Sequence, residues 1–94
     1  MLERDFQKKL VKKLEAQYPD AIIYKNETKQ GFPDLTILCG DRWALLECKR
    51  ESEASHRPNQ DYWVNRANKM GFASFIYPEN EEVIFNELKE FFAN

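Results

Sequence analysis

Asp34, Glu47 and Lys49 are the side chains of this chain whose types and spacing can do chemistry together. Residues 32–50 read F-P-D-L-T-I-L-C-G-D-R-W-A-L-L-E-C-K-R, two apolar arms about a Gly40-Asp41 turn. A Gly-X pair suits a tight hairpin, so strands are expected over 34–38 and 43–49. With the turn centred there, opposed residues have numbers summing to 81: Cys39 with Arg42, Leu38 with Trp43, and Asp34 with Glu47. Directly opposed Cβ atoms in an antiparallel pair lie about 4.5–5.5 Å apart. The side-chain period of two then sets Lys49 on the same face as Glu47 and Asp34.

Two like charges directly opposite each other destabilise a sheet. A hairpin built only for stability would carry Thr, Val or an opposite charge there. Two carboxylates sharing a site are what a hard cation such as Mg²⁺ takes, alongside waters and substrate phosphate oxygens. The lysine is then left to act on a phosphate or a water. The plainer reading makes Glu47 and Lys49 a solvated strand end, with Asp34 merely starting a strand after Pro33.

Pro33-Asp34 followed by Glu47-Cys48-Lys49 resembles the PD-(D/E)xK nuclease signature. Gly31-Phe32-Pro33-Asp34-Leu35, Leu46-Glu47-Cys48-Lys49, a later Gln60 and Gly71 before a short apolar strand are similar to the VRR-NUC (virus-type replication–repair nuclease) group, as a small stand-alone domain. The resemblance spans residues 3–77. It implies a restriction-endonuclease-like fold and a Mg²⁺- or Mn²⁺-dependent endonuclease acting on DNA, in repair or four-way (Holliday) junction processing, in a bacterial or phage-infected cell. It implies metal ligation by Asp34, Glu47 and the Cys48 backbone carbonyl, and a supporting glutamine at Gln60. Glu3 matches an N-terminal helix acid that points into the site in this family, as a further metal or catalytic group.

The elements that must position these residues follow in order. Residues 3–17 read as a helix, with Phe6, Leu10, Leu14 and Tyr18 recurring every four residues and Val11 widening the stripe. Lys8, Lys9, Lys12 and Lys13 occupy its other side, as a solvated face in preference to a DNA contact. Glu3 shares the side of Phe6 at the first turn, where an acid also suits the helix dipole without any other role. Pro19 ends the helix, 21–24 form a short strand, and 25–30 a polar loop. After the hairpin, 50–58 lack an apolar face and read as a loop beside the site, whose lone histidine, His56, is expected to be solvated. Pro58 opens a helix over 59–70, with Trp63, Val64, Ala67 and Met70 inward and Gln60 on the same face at its first turn. Residues 72–77 form a last strand, and 80–92 a closing helix with Val83, Ile84, Leu88, Phe91 and Phe92 inward. The expected fold is α/β, in the order α-β-β-β-α-β-α: a mixed central sheet flanked by helices, as one domain over 1–94.

Composition sets the limits on partners. An apolar content of 43% excludes wholesale disorder, and no apolar run approaches the ~20 residues of a membrane span. Cys39 and Cys48 lie at opposite ends of their hairpin and offer neither a disulfide framework nor zinc-ligand spacing, which fits a reducing, cytoplasmic setting. The net charge of −2 is divided unevenly: residues from Glu79 onward carry five acids and one lysine, and residues 1–78 a net of +2. Phosphate contacts are expected from Lys25, Lys29, Arg50 and Arg57, which flank the acids in sequence. So small a domain has little surface for reading bases, which favours cutting branched, flapped or four-way DNA. A homodimer is expected to pair two cuts. Lysine is a weak base, so Lys49 is expected to act electrostatically. The rival reading is a non-catalytic nucleic-acid or protein-interaction module on the same fold.

Overall fold

The chain runs α1 (Glu3–Gln17), β1 (Ile22–Lys25), β2 (Leu35–Cys39), β3 (Arg42–Cys48), α2 (Pro58–Met70), β4 (Phe72–Ile76) and α3 (Glu81–Ala93). A computed structural model describes residues 2–27 and 29–93. The strands form one mixed sheet in the order β1-β2-β3-β4, antiparallel except for the parallel β3–β4 pair. The result is a compact α/β fold, with a Cα radius of gyration of 12.3 Å. No helix among the described residues is long and apolar enough to cross a membrane.

The hairpin register is the one that its turn requires. Gly40 takes φ 65°, a conformation that side chains disfavour, and lets β2 fold back on β3. Cys39 then pairs with Arg42, Leu38 with Trp43, and Leu35 with Leu46. The regular ladder stops one residue short of each expected end, because Asp34 turns its side chain into the sheet, where Oδ2 accepts from the Cys48 N–H at 2.9 Å.

Alternation along β3 divides the core. Ala44, Leu46 and Cys48 point to the side of α1 and α3, where they bury with Phe6, Leu10, Leu14, Ile84 and Leu88. Leu45 points the other way, toward Val64 and Ala67 of α2 and Ala73 of β4. Helix α2 is the crossover between two parallel strands, and it covers β3 and β4 only. The outer face of β1 and β2 is therefore bare, with Ile22, Tyr24 and Leu38 61%, 62% and 45% exposed. Two expected core positions are corrected. Met70, at the end of α2, overhangs the sheet and is exposed, and so is Val83 on the outer side of α3.

Candidate active site

Three elements deliver the site. The Pro33-Asp34 segment enters from the loop before β2, Glu47 and Lys49 stand at the end of β3, and Gln60 is the third residue of α2. Asp34 is half-buried, whereas Glu47 and Lys49 are 3% and 6% exposed. The plainer alternative of a solvated strand end does not hold, since Glu47 and Lys49 stand in a buried compartment. Gln60 organises it with one amide: Nε2 donates to Glu47 Oε2 at 3.0 Å, and Oε1 accepts from Lys49 Nζ at 2.8 Å. The same Oε1 accepts from the Arg57 N–H at 3.0 Å, which also satisfies a helix-start donor. Lys49 Nζ makes one further bond, to the Ser55 carbonyl at 3.2 Å. An ammonium has three hydrogens, so one remains for another partner.

Electrostatics follow from this burial. Desolvation first, and then the neighbouring Asp34 charge, pushes the Glu47 carboxyl up to about 8, against the pull of Lys49. Burial also raises Asp34, while the Cys48 N–H, Glu47, Lys49 and Lys25 draw it down. Near neutral pH the two acids therefore hold a proton between them. Glu3 lies at the rim rather than in the core: it is exposed on its outer side, yet its carboxyl is raised by partial burial and by Asp34, opposed by Lys49 and Arg50. The Cys48 thiol is buried in the core, and desolvation with the three nearby acids pushes it up, so it stays protonated.

Glu47 Oε1 is buried and has no hydrogen-bond partner. An unpaired buried carboxylate oxygen is costly, so it calls for a proton or a cation. No group of three or more His, Cys, Asp or Glu among the described residues forms a ready cage for a metal ion. A Mg²⁺-like ion does not need one, since it is commonly held by one or two carboxylates with waters and substrate oxygens. The residues present fit such an ion.

The four expected phosphate contacts are spread around the compartment. Lys25 ends β1, where its charge reaches Asp34. Lys29 lies with Nζ 4.8 Å from the centre of the Trp63 ring. Arg50 is exposed beside Glu3, and Arg57 is exposed at the start of α2.

Two supporting residues escaped the sequence reading. Asn26 clamps the Asp34 segment: its N–H donates to the Asp34 carbonyl at 2.7 Å, and its Nδ2 to the Pro33 carbonyl at 2.8 Å. A lone asparagine in a polar loop carries no periodic signal. His56 is exposed, as expected, but its ring also stacks on Phe75 with ring centres 3.9 Å apart, and its Nδ1 lies 3.0 Å from Asp61 Oδ1. With Ser52 bonded to Glu79 and Ser55 to Lys49, His56 pins the 50–57 loop against the site.

No known protein family, curated protein or solved structure matches this chain.

Proposed function

We propose that this chain is a Mg²⁺- or Mn²⁺-dependent endonuclease of the PD-(D/E)xK type, on a restriction-endonuclease-like sheet, hydrolysing DNA phosphodiester bonds at branched, flapped or four-way structures. The observation that carries this reading is the pairing of Asp34 and Glu47 in one buried compartment, with Glu47 Oε1 unpartnered and Lys49 joined to Glu47 through Gln60. A structural ion pair would not need two acids, an amide bridge and an orphaned oxygen.

The ion would be held by Asp34, Glu47 and the Cys48 carbonyl, with Glu3 at the rim, and would supply polarisation of a phosphoryl oxygen and a more acidic water. The chain's own residues do the rest. Lys49 offers its remaining N–H to the phosphate and offsets the charge that develops there. Gln60 keeps Lys49 and Glu47 in fixed register, so that neither has to be reorganised as the bond breaks. Near-complete burial of Glu47 excludes bulk water and strengthens these interactions. Lys25, Lys29, Arg50 and Arg57 surround the acids and give the DNA backbone its counter-charges. One copy carries the whole acid–acid–lysine–glutamine set, so dimerisation would serve paired cuts rather than complete the site.

The test is calorimetric titration of Mg²⁺ and Mn²⁺ into the wild type and Asp34→Ala, with cleavage of linear, flapped and four-way DNA. Metal binding and cutting are both expected, and both vanish in the variant while its circular dichroism is unchanged. A wild type that binds neither metal, even with DNA present, would be an interaction module instead.

A further inference from the structure

Beside the acids lies a second compartment of a different kind. It is a largely apolar cleft of about 290 Å³ whose lining includes Phe32, Trp43, Leu45, Trp63 and Met70, with Arg66 at its mouth. The cleft is built from the same three elements as the acidic compartment. Phe32 precedes Asp34 by two residues in the same loop. Leu45 precedes Glu47 by two on one face of β3, about 7 Å along the strand. Trp63 follows Gln60 by three in α2, about one turn. Each of the three elements that supply the acidic site thus supplies an apolar or aromatic wall to its neighbour.

The aromatic surface is held in shape from several sides. Phe32 and Tyr62 meet the Trp63 ring edge-on at centroid distances of 5.5 and 5.1 Å. Trp43 packs against Gly71, where an added Cβ would come within 2.9 Å of the indole. Two cations border the aromatics: Lys29, with Nζ 4.8 Å from the Trp63 ring centre, and Arg66, whose Nη1 donates to the Tyr62 hydroxyl at 2.6 Å. Rings for stacking, flanked by positive charge, are the chemistry that holds an unpaired base with its phosphates. The volume is near the lower limit for small-molecule sites, which suits one base better than a stack.

We infer that this cleft binds a single nucleobase unstacked from the strand being cut, while its neighbouring phosphate lies at Asp34 and Glu47. The inference rests on the nuclease reading and deepens it. The substrate is DNA with an unpaired nucleotide directly beside the scissile phosphate. Fully paired linear duplex keeps its bases stacked and is a poor substrate. Lys29 and Arg66 give counter-charge to the backbone on the other side of the bound base.

Both tryptophans of the chain line the cleft, so their emission reports on it directly. The experiment titrates a short oligothymidylate, and an abasic oligonucleotide of equal length and charge, into the wild type in EDTA. The thymidylate is expected to quench the emission and bind more tightly than the abasic strand. Trp63→Ala weakens thymidylate binding about 5- to 150-fold, without a comparable effect on the abasic strand. Met70→Glu guards against a misfolded variant, because Met70 is 66% exposed and tolerates replacement. It weakens thymidylate binding, whereas Val83→Glu, the same charge change on the outer side of α3, does not. Equal binding of the two oligonucleotides without quenching overturns the inference. So does a concentration-dependent shift of emission without DNA, with a pair of chains in sedimentation, since a second copy would then fill the cleft. Cutting by a protein whose tryptophans ignore thymidylate overturns the cleft and leaves the nuclease reading. Quenching by a protein that binds no metal and cuts nothing overturns the nuclease reading, and with it the placement of the phosphate.

Discussion

Gln60 and Lys49 form the contact on which the compartment depends: Gln60 Oε1 accepts from Lys49 Nζ at 2.8 Å, and the same amide reaches Glu47 with its other end. A buried ammonium and a buried carboxyl group are thereby bridged without touching, while Glu47 Oε1 is left without a hydrogen-bond partner. Direct pairing of Lys49 with Glu47 would instead neutralise both charges.

Removing that amide leaves both groups short of partners. Gln60→Ala is expected to lower stability by about 1–3 kcal/mol, read by chemical denaturation, and to reduce cutting by more than the loss of folded protein. Gln60→Glu keeps an acceptor for Lys49 and the Arg57 N–H but loses the donor to Glu47. It should bind divalent cations while cutting poorly. Wild-type cutting by both variants would show that the bridge is only scaffolding.

Protonation of Glu47 makes the metal-free protein pH-sensitive. Its carboxyl titrates near 8 in the folded chain, against an ordinary value of 4.5. Between those values the folded state holds a proton that the unfolded state has released. Stability therefore falls as pH rises from about 4.5 through about 8, then levels off. Asp34, raised in the same direction, adds to the slope. Denaturation midpoints in EDTA should show this decline in the wild type and a flatter profile in Glu47→Gln. Parallel profiles would place the titration elsewhere.

On the proposed metal site, cation and proton would compete for the same pair of acids. Below about pH 8 each bound ion displaces a proton, so affinity should rise up to about tenfold per pH unit and flatten above. At a hundred times the dissociation constant, the ion stabilises the fold by about 2.7 kcal/mol. Thermal denaturation with and without Mg²⁺ measures this, and the increment should be absent in both Asp34→Ala and Glu47→Gln.

Asn26 tests whether holding the backbone of Asp34 matters apart from its carboxylate. Asn26→Ala removes the side-chain bonds to the Pro33 carbonyl and the Thr36 hydroxyl while leaving every acid in place. A loss of about 1 kcal/mol in stability is expected, with a weaker Mg²⁺ affinity measured by calorimetry. Unchanged affinity would mean that the Asn26 N–H, together with the bond from the Cys48 N–H to Asp34, suffices.

Much of this arrangement could be read before any coordinates, because it is local. A glycine turn and period-two alternation fix which residues oppose each other, and the register through Leu35 and Leu46 follows from them. Gln60 was legible through its place on the apolar side of a first turn. The contacts that escaped notice are those between segments with no pattern of their own: Asn26 onto the Pro33 carbonyl, His56 onto Phe75, and Lys49 onto the Ser55 carbonyl. The misplaced core positions have another cause. Helical periodicity marks a face but not how far the sheet beneath it extends, so Met70 continues the stripe of α2 past the last strand that could cover it.

Strand β3 is bonded along both edges and covered on both faces, and it carries Glu47. Its amides should exchange with deuterium only when the whole molecule opens, whereas those of the 50–57 loop exchange through small local fluctuations. The acid that must not move thus stands on the slowest-exchanging part of the chain. The 50–57 loop is tied to the site at Ser55 and Arg57, so each local opening there would free a hydrogen of Lys49 and an acceptor position on Gln60 while Glu47 keeps its place on the strand.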